Sequence, residues 1–321
     1  MKKLLVVLTL ILVLALSLFS FGCAPKSDIV IYVPDGAPAL SFASLMQESA
    51  TLDGRKVRVY VSDGNTVKAK LLSGEADIVV LPVSAGAKLH LNGADIKLGA
   101  VTVWGLNYLV GKEQITSFDQ LKGQVVHSIG KGDTPDIMLK KILTEKGIPF
   151  VESDTPVENK VAIKYYAQGS DILPLLKTGN AKFAVLGEPV ASKTKAPAIG
   201  CVELFDLQAE WESVTNGVEV CQAGVLLSNS VYNDTALVNA LITNLKANDE
   251  FILQNPQMAT DLLKSKDSAV ATANTFTESL INRCNIKTER ASDKLTVIKA
   301  YYTALKDFGA IANLPNDNFY L

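Results

Sequence analysis

The chain has 321 residues, of which 48% are hydrophobic and 20% are charged, and its formal net charge is −2 at pH 7. This length is sufficient for two sizeable hydrophobic cores. The nearly balanced charge and the absence of a basic block argue against nucleic acid as a partner.

The amino-terminal segment has the pattern of a secretory signal. A basic start precedes an almost unbroken apolar run, Leu4–Phe19. Cys23 follows Gly22 directly, which resembles the signal of bacterial lipoproteins, where the cysteine is lipidated and becomes the mature N-terminus. An uncleaved membrane anchor is the alternative. In either case we expect residues 1–22 to lie outside the fold and the remainder to be extracytoplasmic and tethered to the membrane.

The next part of the chain alternates strands with helices. Strands are predicted at 28–33, 57–61 and 76–81, and helices at 39–47, 66–73 and 82–89. Pro38 stands at a favourable first helical position, and Asn65 is predicted to cap the second helix. This β-α-β-α-β order predicts a mainly parallel sheet covered by helices.

This pattern occurs twice. Arg58–Pro82 and Ile163–Gly187 align without a gap, and each reads as a β-rich run, a Gly turn, a short helix, a second Gly and an apolar strand. The segments before them, 28–46 and 124–139, also share a strand, a Gly turn and a proline. Coincidental similarity is the alternative. The repeat predicts two similar lobes with a cleft between them.

Two segments are predicted to connect the lobes. The apolar segment 97–111 is too long for one strand and is interrupted by Gly105, whereas 210–219 is polar and is predicted to be irregular. A strand at 222–228 should then return to the first lobe. Helices are predicted at 235–254, 258–263 and 294–308. We therefore predict lobe one at 23–103 and 216–321, and lobe two at 104–215.

The segment Ile115–Ile148, with its connector, strand, Gly-rich turn and helix, resembles the type II periplasmic binding proteins, which are the solute-binding components of ABC importers. Gly74–Pro82 and Gly187–Pro189 are further matching loops. Within that class the chain is most similar to the binders of nitrate, sulfonates, taurine and pyrimidine precursors. The resemblance implies an α/β fold of two similar lobes with mainly parallel sheets, joined by a two-strand hinge.

The same resemblance implies that a small molecule is captured between the lobes and delivered to an ABC permease, by a monomer that performs no chemistry and needs no cofactor. Two alternatives stay open. One is an enzyme on the same scaffold, similar to menaquinone-pathway dehydratases or pyrimidine synthases, although the signal and the loops lacking a nucleophile–base pair argue against it. The other is a sensor subunit for a membrane receptor.

Loops that follow the strands should line the cleft. The predicted ligand-binding residues of lobe one are Asp35, Gly36, Ala37, Pro38, Asp63, Asn65, Val83 and Ser84. Those of the crossover and lobe two are Trp104, Asn107, Lys131, Gly132, Asp133, Thr134 and Glu188. Helix capping, tight turns and, for Trp104, core packing are the alternative roles. Because Lys131 is the one basic side chain among several acidic ones, we expect a neutral, zwitterionic or amine-bearing ligand with a flat part that stacks on Trp104.

The histidines and cysteines predict no metal site. His90 and His127 are far apart, and the cysteines show no CxxC spacing. We expect His127 to be packed within a strand. Cys201 and Cys221 flank the return crossover and are the favoured pair if a disulfide forms.

Overall fold

A computed structural model of the chain describes residues 27–321. The predicted signal and Cys23 lie outside the described residues. Within them the fold is mixed α/β, with two sheets that each have a parallel core flanked by antiparallel strands. The predicted fold class is therefore confirmed. No helix among residues 27–321 is long and apolar enough to cross a membrane.

Thirteen strands are described. They are β1 Ile29–Pro34, β2 Thr51–Leu52, β3 Arg55–Ser62, β4 Ile78–Pro82, β5 Ile96–Val103, β6 Asn107–Gly111, β7 Val125–Ile129, β8 Phe150–Glu152, β9 Val161–Tyr166, β10 Phe183–Gly187, β11 Val202–Asp206, β12 Ala223–Ser228 and β13 Ile286–Arg290. Sheet one has the order β13-β5-β12-β4-β1-β3-β2, and sheet two has the order β11-β6-β10-β7-β9-β8.

The described α-helices cover both sheets. They are α1 Ala37–Leu40, α2 Gly64–Leu72, α3 Val83–Leu91, α4 Thr134–Glu145, α5 Leu173–Thr178, α6 Val190–Lys193, α7 Leu207–Val214, α8 Asn229–Tyr232, α9 Thr235–Gln254, α10 Pro256–Lys264, α11 Ala269–Ala273, α12 Glu278–Arg283 and α13 Leu295–Asp307. Short 3-10 helices occur at Ala43–Met46, Phe118–Leu121, Gly169–Asp171 and Asp317–Phe319.

The sequence repeat corresponds to a structural repeat. In sheet one, β1 pairs in parallel with β3 on one side and with β4 on the other. In sheet two, β7 pairs in parallel with β9 and with β10 in the same arrangement. The two copies, β3-α2-β4 and β9-α5-β10, therefore occupy equivalent positions. Their loops at the carboxyl ends of the parallel strands lie where ligands bind in α/β sheets.

The chain passes between the sheets at two places. The first is Trp104–Leu106, between β5 and β6, where Gly105 has φ +100° and a Cβ would lie 2.4 Å from Cγ of Gln208. Glycine is required there for both reasons. The second is 215–222, between α7 and β12. The exact lobe boundaries stay a prediction, because they depend on which parts move together.

One buried apolar cluster runs through both sheets. It includes Leu81 and Leu98 from sheet one and Val126 and Val185 from sheet two. The amphipathic helix α9 has the predicted bounds and packs its apolar face on sheet one, burying Leu237, Leu241 and Leu245 among others. Burial of such faces is the main stabilising term in folds of this kind.

Two local predictions near the start of the fold are wrong. The helix expected at 39–47 is interrupted between α1 and the 3-10 turn Ala43–Met46, because Asn248 from α9 bonds the backbone at the break. Its Nδ2 donates to the Leu40 carbonyl at 3.1 Å, and its Oδ1 accepts from the Ser44 N–H at 2.8 Å. The cap of α2 is Asp63 rather than Asn65, since the Asp63 carboxylate accepts from the N–H groups of Asn65 and Thr66.

The return segment also differs from its prediction. Residues 210–219 are not wholly irregular, because α7 continues to Val214. Asp206 starts this helix by accepting hydrogen bonds from the N–H groups of Gln208 and Ala209. Among residues 27–321, Cys201, Cys221 and Cys284 are buried free thiols, so the pair favoured in the event of a disulfide is not bonded. His127 is packed as predicted, only 6% exposed, with Nδ1 3.0 Å from the Tyr166 hydroxyl.

Candidate functional site

A continuous ring of contacts joins the two sheets at their facing loops. We call it the junction ring, and its members are Val83, Gln222, Asn107, Met138, Thr134, Tyr301 and Tyr302. On one side the Val83 N–H donates to the Gln222 carbonyl at 3.1 Å, and Asn107 Nδ2 donates to Gln222 Oε1 at 2.6 Å. Asn107 Nδ2 also lies 3.6 Å from Sδ of Met138, which is one helical turn after Thr134 in α4.

The other side of the ring is aromatic. The rings of Tyr301 and Tyr302, both in α13, have centroids 6.4 Å apart, and the Tyr302 hydroxyl donates to the Val83 carbonyl at 3.1 Å. Burial raises the pKa of the Tyr301 phenol, and the neighbouring Thr134 hydroxyl opposes that shift. Trp211 of α7 packs against Tyr301 with a centroid distance of 5.7 Å. The junction ring is thus formed by residues associated with both sheets.

Unpaired polar atoms are concentrated in and beside the junction ring. Among the described residues, seven buried side-chain N or O atoms have no hydrogen-bond partner, and five of them belong here. They are Ser84 Oγ, Asn107 Oδ1, Thr134 Oγ1, Trp211 Nε1 and Tyr301 Oη. All five side chains belong to residues with 0% exposure. Because an unpaired buried polar group costs about 1–3 kcal/mol, we expect these atoms to bind water or another polar molecule.

Local structure places two of these hydroxyls at the starts of helices. Ser84 lies in the first turn of α3, directly after β4, and Thr134 is the first residue of α4, in the loop region after β7. Neither helix has a side-chain hydrogen bond at its N-cap. The Val83 N–H at the start of α3 already donates to the Gln222 carbonyl, and Pro135 in α4 has no N–H, so the two hydroxyls are the polar groups that these termini contribute.

Basic side chains around the ring are bound to protein acceptors. Lys88 Nζ donates to the Gly132 carbonyl at 2.9 Å, across the junction between the sheets. Lys131 Nζ lies 2.8 Å from Glu152 Oε1 and is positioned over the ring of Tyr165, 5.6 Å from its centroid. Burial raises the pKa of the Asp133 carboxyl, and the charges of Lys88 and Lys68 oppose that shift. Lys131 is therefore paired with a carboxylate, while the charges of Lys88 and Lys68 act on Asp133.

Four predicted lobe-one residues lie in the loop between β1 and α1 or at the start of α1. The Asp35 carboxylate accepts from the Ser268 hydroxyl and from the Val270 N–H, so it caps α11. Gly36 adopts φ +97°, and a Cβ there would lie 4.0 Å from Cδ of Pro189, which brings this loop against the loop after β10. Ala37 and Pro38 begin α1.

The remaining predicted residues either lie at the start of a helix or form hydrogen bonds and ion pairs with other protein groups. Asp63 and Asn65 are exposed, and the carboxylate of Asp63 is engaged in capping α2. The Gly132 N–H donates to Asp136 Oδ2 at 2.7 Å. Glu188 is fully buried at its side chain and accepts from Ser192 Oγ at 2.9 Å and from Arg283 Nε at 2.6 Å.

Trp104 has a structural partner of its own. Its indole N–H donates to the Lys287 carbonyl of β13 at 2.7 Å, and its backbone N–H bonds the Asn285 carbonyl at 3.1 Å. The side chain is 8% exposed and belongs to the apolar cluster that runs through both sheets. Stacking on a ligand stays a prediction, while these contacts favour the packing role.

Sequence reasoning missed the residues that reach the junction from distant segments. Gln222, Tyr301 and Trp211 come from the return segment, α13 and α7, and none follows a parallel strand. Arg283 of α12 also bridges the sheets, because it bonds Glu188, lies 2.7 Å from Glu203 Oε2, and sits 4.4 Å from the centroid of Tyr108. An arginine near the end of a short helix carries no sequence signal for this role.

Two open depressions on the surface lie apart from the ring. One is lined by Tyr108 and by residues of α12, including Asn282 and Arg283. The other is lined by the end of α9 and by α10, with Met258 and Leu262 at its apolar side. Neither is lined by a member of the junction ring. Among residues 27–321, no group of three His, Cys, Asp or Glu side chains is arranged to hold a metal.

Comparison with known proteins establishes the fold. No protein-family model matches the chain, and no curated protein matches it. A solved structure described as an ABC transporter from Parabacteroides distasonis is similar over 92% of this chain and 98% of its own, with 24% identity and a TM-score of 0.74. The periplasmic aliphatic sulphonate binding protein from Escherichia coli is similar over 93% and 92%, with 14% identity and a TM-score of 0.67.

An alkanesulfonate-binding protein from Xanthomonas axonopodis pv. citri, bound to MOPS, is similar over 92% of this chain and 96% of its own, with 12% identity and a TM-score of 0.65. At these identities the similarity shows a shared fold, that of the periplasmic binding proteins. It covers nearly all of the described residues.

Proposed function

We propose that this chain is an extracytoplasmic, lipid-anchored solute-binding protein, which captures a small organic molecule between two lobes and delivers it to an ABC permease. The observation that carries the proposal is the set of five buried, unpaired polar atoms at the junction of the two sheets. The similar structures described as a transporter and as sulfonate-binding proteins support the same role.

The proposed mechanism is closure around the solute. Only two backbone connections link the sheets, at Trp104–Leu106 and 215–222, so relative movement requires few changes in φ and ψ. Contacts such as Lys88–Gly132 and Arg283–Glu188 join the facing surfaces and would form as the lobes close. A ligand that interacts only with the closed form shifts the population toward it.

An enzymatic role receives less support from the junction. Cys221 lies beside the ring, and burial raises the pKa of its thiol, which keeps it protonated and weakly nucleophilic. His127 lies within β7 and its Nδ1 contacts Tyr166 rather than a ring member. A sensor role would use the same binding step and differ only in the membrane partner.

The binding step is tested with the mature protein and the small-molecule fraction of a bacterial cell extract. After incubation and washing, native mass spectrometry should detect one retained small molecule per chain, and small-angle X-ray scattering should give a smaller radius of gyration than for the washed, ligand-free protein. Retention of nothing, with an unchanged radius, would contradict the proposal.

The membrane anchor is tested separately. Cys23→Ser should release the protein from the membrane fraction if lipidation of Cys23 holds it there. Unchanged membrane association of this variant would instead support an uncleaved anchor. The solute-binding step does not depend on this outcome, because the junction ring lies wholly within residues 27–321.

A further inference from the structure

The unpaired atoms of the junction differ in what they can bind. Asn107 Oδ1 can only accept a hydrogen bond, and Trp211 Nε1 can only donate one. The hydroxyls of Ser84, Thr134 and Tyr301 can do either. A molecule that satisfies the whole set must therefore supply both a donor and an acceptor. An anion such as a sulfonate or a carboxylate supplies acceptors alone.

The orientation of the Asn107 amide is supported by its neighbours. Its Nδ2 faces Gln222 Oε1 at 2.6 Å and Met138 Sδ at 3.6 Å. A thioether sulfur accepts hydrogen bonds weakly and donates none, so it favours the amide nitrogen on that side. Asn107 Oδ1 is then directed away from both partners and toward Gly187. A Cβ at that glycine would lie 3.5 Å from this oxygen.

Charge at the junction points in the same direction. Lys88, Lys131 and Arg283 are held by Gly132, Glu152 and Glu188, respectively. An anionic ligand would have to compete with Glu152 for Lys131, with Glu188 for Arg283 and with Asp133 for the charge of Lys88. Without such a counter-charge its burial would be strongly unfavourable. A neutral molecule meets no such cost, and the aromatic side chains of Trp211 and Tyr301 provide apolar contact for its body.

We infer that the ligand of this site is an uncharged molecule with at least one N–H or O–H donor and one acceptor, its donor bonding Asn107 Oδ1 and its acceptor bonding Trp211 Nε1. This inference rests on the proposed solute-binding function. It separates this chain from the similar structures described as sulfonate-binding proteins.

The test uses the molecule retained from the small-molecule extract together with ethanesulfonate as a simple anionic probe. The retained molecule should carry no net charge at pH 7, and its mass should increase in deuterated solvent by at least one exchangeable hydrogen. Millimolar ethanesulfonate should leave the melting temperature of the ligand-free protein unchanged.

Two variants connect the ligand to the named atoms. Thr134→Val removes an unpaired hydroxyl with little change of shape, and Asn107→Leu removes the acceptor. Each should weaken retention of the captured molecule by about tenfold or more. If Asn107→Leu does not fold, Trp211→Phe, which removes the unpaired Nε1 donor, takes its place and should weaken retention to a similar degree. Lys182→Gln, which alters an exposed ion pair with Glu113 outside the ring, is the matched control and should retain the molecule as the wild type does.

The outcomes separate the two proposals. Retention of an anion, or stabilisation by ethanesulfonate, with a smaller radius of gyration, would overturn the inferred ligand class and leave the solute-binding function intact. Retention unaffected by both ring variants would mean that these atoms bind water rather than ligand, and would also overturn the inference. Retention of nothing would contradict both proposals.

Discussion

Tyr301 and Tyr302 are adjacent in α13 and both are fully buried, but only the Tyr302 hydroxyl has a hydrogen-bond partner, the Val83 carbonyl at 3.1 Å. The pair therefore separates a hydroxyl that is bonded to the backbone from one whose neighbour is the Thr134 hydroxyl. Adjacent residues of one helix point in different directions, so Tyr302 faces the start of α3 while Tyr301 faces Thr134 and Trp211.

Deleting these two hydroxyls should affect different properties of the protein. Tyr302→Phe should lower its stability, whereas Tyr301→Phe should weaken its retention of the captured molecule. Tyr302→Phe leaves the Val83 carbonyl without its partner and should lower the free energy of unfolding by about 1–3 kcal/mol. Tyr301→Phe removes an oxygen that is unpaired in the folded chain, so the change should be within about 0.5 kcal/mol, while retention of the captured molecule weakens. Urea denaturation measures both values. Equal destabilisation by the two substitutions would show that the Tyr301 hydroxyl has a structural partner.

Arg283 should contribute to holding the two sheets together. Glu188 is fully buried at its side chain, and Arg283→Gln removes its cationic partner and the link to Glu203. Because Arg283 is itself 28% exposed, we expect a loss of about 2–3 kcal/mol, below the range for a completely buried pair. The ligand-free variant should also show a larger radius of gyration than the wild type.

The matched control for Arg283 is an exposed pair on the surface of sheet one. Arg58 and Asp28 are 56% and 31% exposed at their side chains. Arg58→Gln should therefore leave both the free energy of unfolding and the radius of gyration nearly unaltered, because a solvent-exposed ion pair contributes little. A comparable loss in both variants would argue that Arg283 acts as an ordinary surface charge.

Much of the fold follows from local sequence patterns. The paired β-α-β units, the break at Gly105 and the bounds of α9 are each encoded by residues close together in the chain. The failures occur where a distant side chain decides the local structure. Asn248 interrupts the helix expected at 39–47, and no residue within that segment predicts the interruption.

The junction ring shows the same division. Ser84, Asn107 and Thr134 were predictable because they lie beside strand ends, which are recognisable positions in α/β sheets. Tyr301 and Gln222 were not, since their place in the ring depends on how α13 and the return segment pack on sheet one. Asp35 and Asp63 are at strand ends as well, but helix capping engages their carboxylates.

The stability of the protein should depend on the protonation of His127. Burial lowers the pKa of this imidazole, and the charge of Lys164 lowers it further. The folded state therefore favours the neutral form, whereas the unfolded chain takes up a proton near pH 6.5. Between the lowered pKa and about pH 6.5 the unfolded state binds more protons, so the free energy of unfolding should fall as the pH falls through this window.

His127→Asn tests this dependence, because its side-chain oxygen can replace Nδ1 as a partner of the Tyr166 hydroxyl. Thermal unfolding from about pH 5 to pH 8 should show a smaller decrease on the acidic side for the variant than for the wild type. At pH 8, where the histidine is neutral in both states, the slopes with pH should coincide. An identical acidic decrease in both proteins would assign it to other groups.

The two tryptophans provide the last comparison, because the same substitution should affect them differently. Trp104 donates to the Lys287 carbonyl, while the N–H of Trp211 has no partner in the described residues. Both rings are buried, so replacement by Phe removes a similar volume and costs a similar packing term. Trp104→Phe should therefore be the more destabilising by about 1 kcal/mol, the typical net contribution of one hydrogen bond. Trp211→Phe should instead weaken retention of the captured molecule.

Because the chain has only two tryptophans, each variant reports the fluorescence of the other ring. Binding should perturb the emission of Trp211 in the Trp104→Phe protein and leave that of Trp104 in the Trp211→Phe protein unchanged. The reverse pattern, with affinity lost in Trp104→Phe and stability kept, would restore the stacking role that the sequence predicts for Trp104.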